Sequence, residues 1–580
     1  MFLLAITQNS LKSRLYDCTV NEFQWDSNIY TLVTDDLLSR VSTDSEGFKL
    51  IEAPTDNCIL VEIVYQKQTD ILKIYQSVMS GISVYYHINT DGEFFCASHI
   101  SLLRKCGITI KENTEVLPEF FVFRYIMPPH TLYKNIFHLP PGSTLFLKQK
   151  ERKYYIAEHE IYIPPLSGST SVNESQVAQI AADHISELLQ ILAPHQEKLA
   201  VLLSGGLDSS ILFKMCQNLY NTTETYSTGY PFEDPELNVE KNYAITASKA
   251  FGTSHTYYSA THKDYLDGVI KSISCAEMPI HHMQSALLFM LFESGIPEEK
   301  KFIINGEGGD GQWGRDTHYQ LYLSYKTPVI SAAHALRKFN LIPKFMQLSH
   351  TIKKGRNLMA AIDTVQRRTV PLSDPDNIVW SSIKYGDEEW VCSYFQVKRE
   401  EIIRFRYNTL QPYYDRNLYD LVSLMGLLGY VPITTSIWSK LAESCKRIII
   451  YPYLSLNVVD YAYSLPWDMK SRKRKNVLRS VAHHLNIPDF IINRPKTGFG
   501  LKKPNWAEKS GPFECLIPLA SKVFDEGEIR RMHLKDEGKR QIFWNILNYA
   551  IWKRLCILHE PVSLLLGELN EYYSFYASKT

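Results

Sequence analysis

The chain has 580 residues, more than one hydrophobic core organises, so at least two domains of roughly 100–200 residues are expected. Lys plus Arg and Asp plus Glu both total 62, which removes any global electrostatic reason to expect nucleic acid or an anionic membrane as partner, and 45% apolar residues exclude a disordered chain. Ten cysteines, scattered from Cys18 to Cys556 without a CxxC pair, suit neither a disulfide framework nor a zinc knuckle and point to a reducing, cytoplasmic setting.

The stretch MFLLAITQNSLKSRLYD lacks the basic start and cleavage site of a signal peptide and reads as a first β-strand, and no run reaches the ~18 apolar residues of a membrane span. Residues 1–165 read as strand-rich. Within them SGISVYYHINTDGEFFCASH alternates apolar and polar residues around Asp91-Gly92, a dipeptide that supplies the positive φ angles of a tight hairpin. Pro164, Pro165 and Gly168 then punctuate the segment 161–170, which marks the boundary to a second domain, 166–580. There the period changes. Asn173 caps a helix, with Gln176 three residues on, whose apolar positions are Val177, Ile180, Ala181, His184, Ile185 and Leu188. The apolar run from Leu199 to Leu203, a helix from Ser209 and a strand at Thr225 to Gly229 make a βαβ alternation, which implies a doubly wound parallel sheet. From about residue 390 onward helical spacing dominates and predicts a helical C-terminal subregion. Neither an internal repeat nor a low-complexity tract is present.

The sharpest feature is Ser204-Gly205-Gly206-Leu207-Asp208-Ser209-Ser210, a glycine turn between a buried strand and a helix start. Glycines let the backbone approach an anion, while serine hydroxyls and free helix N–H groups donate to its oxygens, so the segment reads as a phosphate cradle. Asp208 fits beside phosphate if Mg²⁺ lies between them; the plainer alternative is a strand-to-helix turn with Asp and Ser as caps. Gly306-Glu307-Gly308-Gly309-Asp310 follows a second apolar strand, which sets its carboxylates at the C-terminal sheet edge where doubly wound folds bind ligands, so Asp208 and Asp310 can share one Mg²⁺. Lys496, in a Gly- and Pro-bounded loop, can neutralise charge on a leaving pyrophosphate. The run Lys470 to Arg479 holds six basic residues without an interleaved aromatic and reads as a solvated helix start near polyphosphate. The adjacent pairs His281-His282 and His483-His484 diverge on a helix and cannot chelate, so structural roles are expected.

SGGLDSS resembles the pyrophosphate loop of the adenylating N-type ATP pyrophosphatases, in the spelling of the asparagine synthetase family. Other segments resemble that family in the same order. Residues 131–142, TLYKNIFHLPPG, are similar to its TLFKGIKKLPPG; Phe232-Glu-Asp-Pro-Glu-Leu to an acidic stretch after the second strand; residues 306–314 to its GEGADELFGG loop; and residues 493–500, NRPKTGFG, to its RPKxGFG segment. The resemblance implies an α+β, layered Ntn-hydrolase-like domain over residues 1–165, followed by an α/β doubly wound synthetase domain over 166–580. It implies ATP and Mg²⁺ as cofactors, with Leu202, Ser204, Gly205, Gly206, Asp208, Ser209, Ser210, Thr228 and Gly306 at the nucleotide and Asp208 and Asp310 at the metal. Glu307 is then the general base or orienting group for an incoming amine, and Lys496 the essential lysine.

Two departures narrow the expectation. Position 2 is Phe2, where glutamine-using relatives present a cysteine whose thiol and α-amine are nucleophile and base, and the family's NGEIYN-like segment is missing. The first domain therefore reads as a degenerate glutaminase, a loss shared with the β-lactam synthetases and lasso-peptide macrolactam synthetases. Glu307 counts against β-lactam closure, since β-lactam synthetases resemble this loop with a tyrosine there. Residues 451–455 read YPYLS where asparagine synthetases usually have VPFLD, and losing the acid at Ser455 counts against an aspartate-type substrate. The expected activity is an ATP-dependent carbon–nitrogen ligase that adenylates a carboxylate and passes it to an amine without hydrolysing glutamine. An ammonia-using asparagine synthetase, a macrolactam synthetase and a non-catalytic nucleotide-binding subunit are the alternatives. The expected partners are a carboxylate substrate (small molecule or peptide) and an amine, with a homodimer or a partner protease admitted, and neither nucleic acid nor membrane.

Overall fold

The computed structural model describes residues 1–8, 10–15, 19–25, 28–34, 39–53, 59–79, 81–168, 173–220, 224–230, 239–326, 353–495, 506, 511–532 and 537–578. Lys496, residues 497–500 after it and the 232–237 acidic stretch lie outside the described residues.

Two antiparallel six-stranded sheets build the N-terminal part. The first orders its strands Phe137–His138, Tyr85–Ile88, Phe94–Ala97, Phe2–Thr7, Asn28–Thr34, Thr19–Trp25; the second orders them Lys153–Glu160, Thr144–Lys150, Ile71–Gln76, Val61–Gln66, Gly47–Glu52, Ser39–Asp44. Alternation in strands such as VEIVYQ and ILKIYQ turns one face of the second sheet inward. There Leu50, Ile63 and Ile74 meet Phe2, Leu4 and Ile6 of the first sheet in one core. Leu3 and Ala5 point the other way, into a second core that runs on into the C-terminal domain. Burial on both faces explains why Phe2 to Ile6 are continuously apolar rather than alternating. The hairpin at 89–93 differs from expectation, because only Gly92 takes a positive φ (81°), and the loop is organised instead by Asn89, whose Oδ1 accepts from Asp91 N (3.0 Å) and Glu93 N (2.9 Å).

Residues 161–168 contain neither helix nor strand. Beyond them Asn173 caps the helix Glu174–Ile191 through Ser175 N, and the buried stripe runs through Val177, Ala178, Ala181, Ala182, Ile185, Leu188 and Leu189. Ile180 is exposed and His184 turns outward to Glu187, so two positions expected on the apolar face lie off it. The parallel sheet orders its strands Ser254–Ser259, Glu224–Gly229, Leu199–Leu202, Phe302–Ile304, Ile448–Ile450. The fifth strand lies inside the region read as helical. Three isoleucines are too few to show a period, and only their parallel pairing with Phe302–Ile304 makes them a strand. The helical stretch Leu418–Ser444 is, among the described residues, the one long and apolar enough to cross a membrane, yet 94% of its most apolar window is buried, as in a core helix.

The two halves are joined by buried polar contacts as well as by the shared core. Glu277 accepts from Ile100 N (2.6 Å) and Ser101 N (2.9 Å) at the start of the helix Ile100–Lys105, with Lys440 3.5 Å away. Arg406, fully buried, lies 2.8 Å from Glu119 and donates to the hydroxyl (3.0 Å) and carbonyl (2.9 Å) of Tyr125. Glu119→Ala leaves that buried guanidinium without its counter-charge and is expected to cost about 3 kcal/mol in chemical denaturation. An unchanged midpoint would mean that water replaces the carboxylate.

Candidate functional site

The C-terminal ends of the parallel strands open into a cavity of about 1290 Å³. Leu202, Ser204, Gly206, Asp208, Ser209, Thr228, Gly306, Glu307 and Asp310 all line it, so most residues singled out in the sequence converge on one space. Gly205 and Ser210 do not. Gly205 takes φ +67° with its Cα against the Tyr243 carbonyl, which leaves no room for a Cβ and makes it the pivot of the turn rather than part of the lining. Ser210 is fully buried on the core side of the helix Leu207–Tyr220, and its N–H closes back on Gly206 O (3.1 Å). The turn holds itself open through serines: Ser204 Oγ lies 3.0 Å from Ser209 Oγ, and Gly206 N donates to Ser204 Oγ (3.3 Å).

Lys475 is the group the sequence reading placed wrongly. Its ammonium is buried, bonded to Asp208 Oδ2 and 2.6 Å from Asp310 Oδ1, and it begins the helix Asn476–His484 in left-handed backbone (φ 53°). Burial pulls its pKa down, but Asp208 and Asp310 more than offset that and hold it above the usual lysine value. Lys470 is also buried rather than solvated, 3.5 Å over the Trp467 ring. A basic run on a helix start looks solvated unless the carboxylates that take up one of its charges are known, and those lie more than 150 residues away in the chain.

The carboxylate pair suits Mg²⁺ delivered with ATP. Asp208 Oδ1 is buried without a hydrogen-bond partner, and a Cβ at Gly309 would stand 2.9 Å from Asp208 Cγ, so only glycine keeps that side of the carboxylate open. No cluster of three or more potential ligands occurs among the described residues; Mg²⁺ carried by ATP needs only one or two protein carboxylates, the rest of its shell being phosphates and water. Arg494 flanks the turn, donating to Ser204 O (3.0 Å) and Glu240 (2.6 Å) over the Tyr243 ring, and Tyr453 OH donates to Asp208 O (3.0 Å).

Glu307 shares its part of the cavity with Tyr430, which a five-residue π-helical turn, Gly426–Tyr430, pushes into the space. Burial and then the Glu307 charge raise the Tyr430 hydroxyl far above its usual value, Arg124 opposing, and that hydroxyl is hydrogen-bonded to His282 Nε2. His281 is structural as expected. Thr434 Oγ1 gives its proton to Tyr430 O, so it accepts from His281 Nε2–H (2.9 Å), which fixes that tautomer. His282, by contrast, lines the cavity, and burial together with Arg124 drives its pKa well down, so it is neutral. His483 lies exposed at the end of its helix. Ser455 does not line the cavity but begins the helix Leu456–Ser464.

A family model described as Asparagine synthase matches residues 191–545, and one described as Glutamine amidotransferase domain matches residues 57–158. Asparagine synthetase [glutamine-hydrolyzing] 1 of Bacillus subtilis (strain 168) is 20% identical over 501 residues, 82% of this chain and 74% of the relative. A provisionally named asparagine synthetase [glutamine-hydrolyzing] 2 of Methanocaldococcus jannaschii is 24% identical over 323 residues, 52% of this chain and 57% of the relative. Asparagine synthetase [glutamine-hydrolyzing] 3 of Bacillus subtilis (strain 168) is 20% identical over 442 residues, 72% of this chain and 63% of the relative.

Proposed function

The chain belongs to the asparagine synthase family, and on that premise we propose that it is an ATP-dependent carbon–nitrogen ligase that adenylates a carboxylic acid, releases pyrophosphate and forms an amide without drawing nitrogen from glutamine. The observation that carries this reading is the meeting of Asp208 and Asp310 on the Lys475 ammonium, in one cavity with the Ser204–Ser209 turn and Glu307. A substrate carboxylate oxygen attacks the α-phosphorus of ATP, the bond to the β-phosphate oxygen breaks, and pyrophosphate leaves onto the serine and glycine turn. Lys475 follows the departing charge. Mg²⁺, held by Asp208 and Asp310, would supply further charge neutralisation there. The amine nitrogen then attacks the acyl carbon, Glu307 takes its proton, and the acyl–oxygen bond to AMP breaks. Most of the rate comes from positioning and fixed charge.

Two features of the first domain support a nitrogen source other than glutamine. Phe2 has no nucleophilic atom, its side chain is fully buried between the sheets, and its N–H is held by Ser98 Oγ (2.9 Å). The thiol on the neighbouring strand, Cys96 opposite Leu4, is fully buried, and burial drives its pKa far above the range in which a thiolate forms. Incubated with ATP, Mg²⁺, glutamine and a panel of acids and amines, the protein should give AMP and pyrophosphate and no glutamate. Release of ADP and inorganic phosphate would sink the adenylation reading, and glutamate release abolished by a thiol-alkylating reagent would restore glutamine as donor.

A further inference from the structure

Arg124 belongs to the first domain but lines the synthetase cavity. It ends the helix Leu117–Phe123 in left-handed backbone (φ 62°), a conformation in which a helix normally finishes with glycine. A side chain retained there against the backbone preference suggests a task for that side chain. The segment is fixed from several directions: Arg406 holds Glu119 and Tyr125, Asn545 donates to Phe121 O (2.9 Å), and the N–H groups of Tyr385 and Gly386 donate to Val122 O (3.0 and 2.9 Å). The guanidinium is thereby delivered to a set place, 3.6 Å over the Tyr385 ring.

One face of the group is stacked, its Nε is buried without a hydrogen-bond partner, and no carboxylate pairs with it among the described residues. Its charge is felt by His281, His282 and Tyr430, none of which neutralises it. The Glu307 charge reaches the same Tyr430 hydroxyl, but a half-buried cation with no carboxylate paired directly to it is better placed once a ligand brings an anion. Planar N–H forks suit carboxylates and phosphates alike. The phosphates of ATP have other cations, since Lys475 and Arg494 sit at the glycine turn.

Resting on the ligase reading, we propose that Arg124 is a specificity residue that receives a carboxylate of the substrate other than the one that reacts. That second carboxylate belongs either to the acid that is adenylated or to the amine that accepts it. The test compares probes with and without the extra carboxylate in the presence of Mg²⁺ and ATP: succinate and glutarate against propionate and butyrate for the acid, glycine and β-alanine against ethylamine for the amine. Thermal shift reads binding, and ATP–pyrophosphate exchange reads adenylation of the acids. In one arm the parent should favour the carboxylate-bearing probe by roughly 10-fold or more, and that arm identifies the substrate carrying it. Arg124→Gly should remove the preference and still fold, because glycine suits φ 62°, and Arg124→Lys should keep part of it. The shift given by Mg²⁺ and ATP alone should be the same in all three proteins. Absence of any preference in the parent, or its survival in Arg124→Gly, overturns the proposal. Absence of any response to Mg²⁺ and ATP overturns instead the ligase reading beneath it.

Discussion

Asp208→Asn should lower turnover by roughly 10²–10³-fold while leaving the fold intact. The side chain stands in the first turn of the helix that follows the glycine turn, with its backbone carbonyl held by Tyr453 and its Oδ2 on Lys475. Asparagine keeps the shape and one acceptor oxygen, so what is lost is charge. Two consequences follow from that single change. The buried oxygen that faces Gly309 no longer attracts a divalent cation, and Lys475, whose high pKa depends on Asp208 first among its partners, loses most of the reason to stay charged in a buried place. Both act on the same departing pyrophosphate, so Asp208→Asn combined with Lys475→Met should cost much less than the product of the two single effects. The measurement is the steady-state rate of AMP formation, with ATP binding followed separately by thermal shift. Turnover near the parent's would reduce the turn to an ordinary strand-to-helix connection.

What could be read in the sequence depended on how local each signal was. The glycine turn, the Glu307 loop and the strands feeding them are contiguous and carry their signal in a few residues, so their meeting at one end of the cavity was legible. So was the first strand, whose unbroken apolar run requires burial on both faces. Ile448–Ile450 was not, because three residues show no period and the strand exists only through its neighbour. Lys475 was misread for a related reason: its burial is set by two distant carboxylates rather than by the basic residues beside it. Tyr430 depends on a local π-helical turn and His282 on its orientation, and neither writes a motif.

Arg124 shows the same limit across domains. Nothing in EFFVFRYIM says that one arginine leaves its own domain for the cavity of the next. That placement arises because Arg406 and Asn545 reach back to hold the helix end, so the first domain forms part of the wall of the second. Severing the domains would therefore remove a wall of the site.

Glu307→Gln should separate the two halves of the reaction, leaving ATP–pyrophosphate exchange near the parent's rate while amide formation falls by roughly 10²–10⁴-fold. Glu307 follows the strand Phe302–Ile304, and its N–H is fixed by Asn305 Oδ1 (2.8 Å), so the side chain starts from a rigid turn. Adenylation moves charge at phosphorus and needs no proton acceptor, whereas an amine attacking an acyl carbon must shed a proton, and glutamine offers no basic atom to receive it. The neighbours cannot substitute. Tyr430 stays protonated through burial even once the Glu307 charge is gone, and its hydroxyl is already engaged with His282, whose basicity burial and Arg124 suppress. Amide formation by the variant should then climb with pH as free amine accumulates and solvent base takes over the proton, a rise the parent shows less steeply. The two rates are read side by side, exchange with labelled pyrophosphate in the absence of amine and amide formation with it present. A parallel fall in both would move Glu307 from proton transfer to the binding of the acid or of ATP.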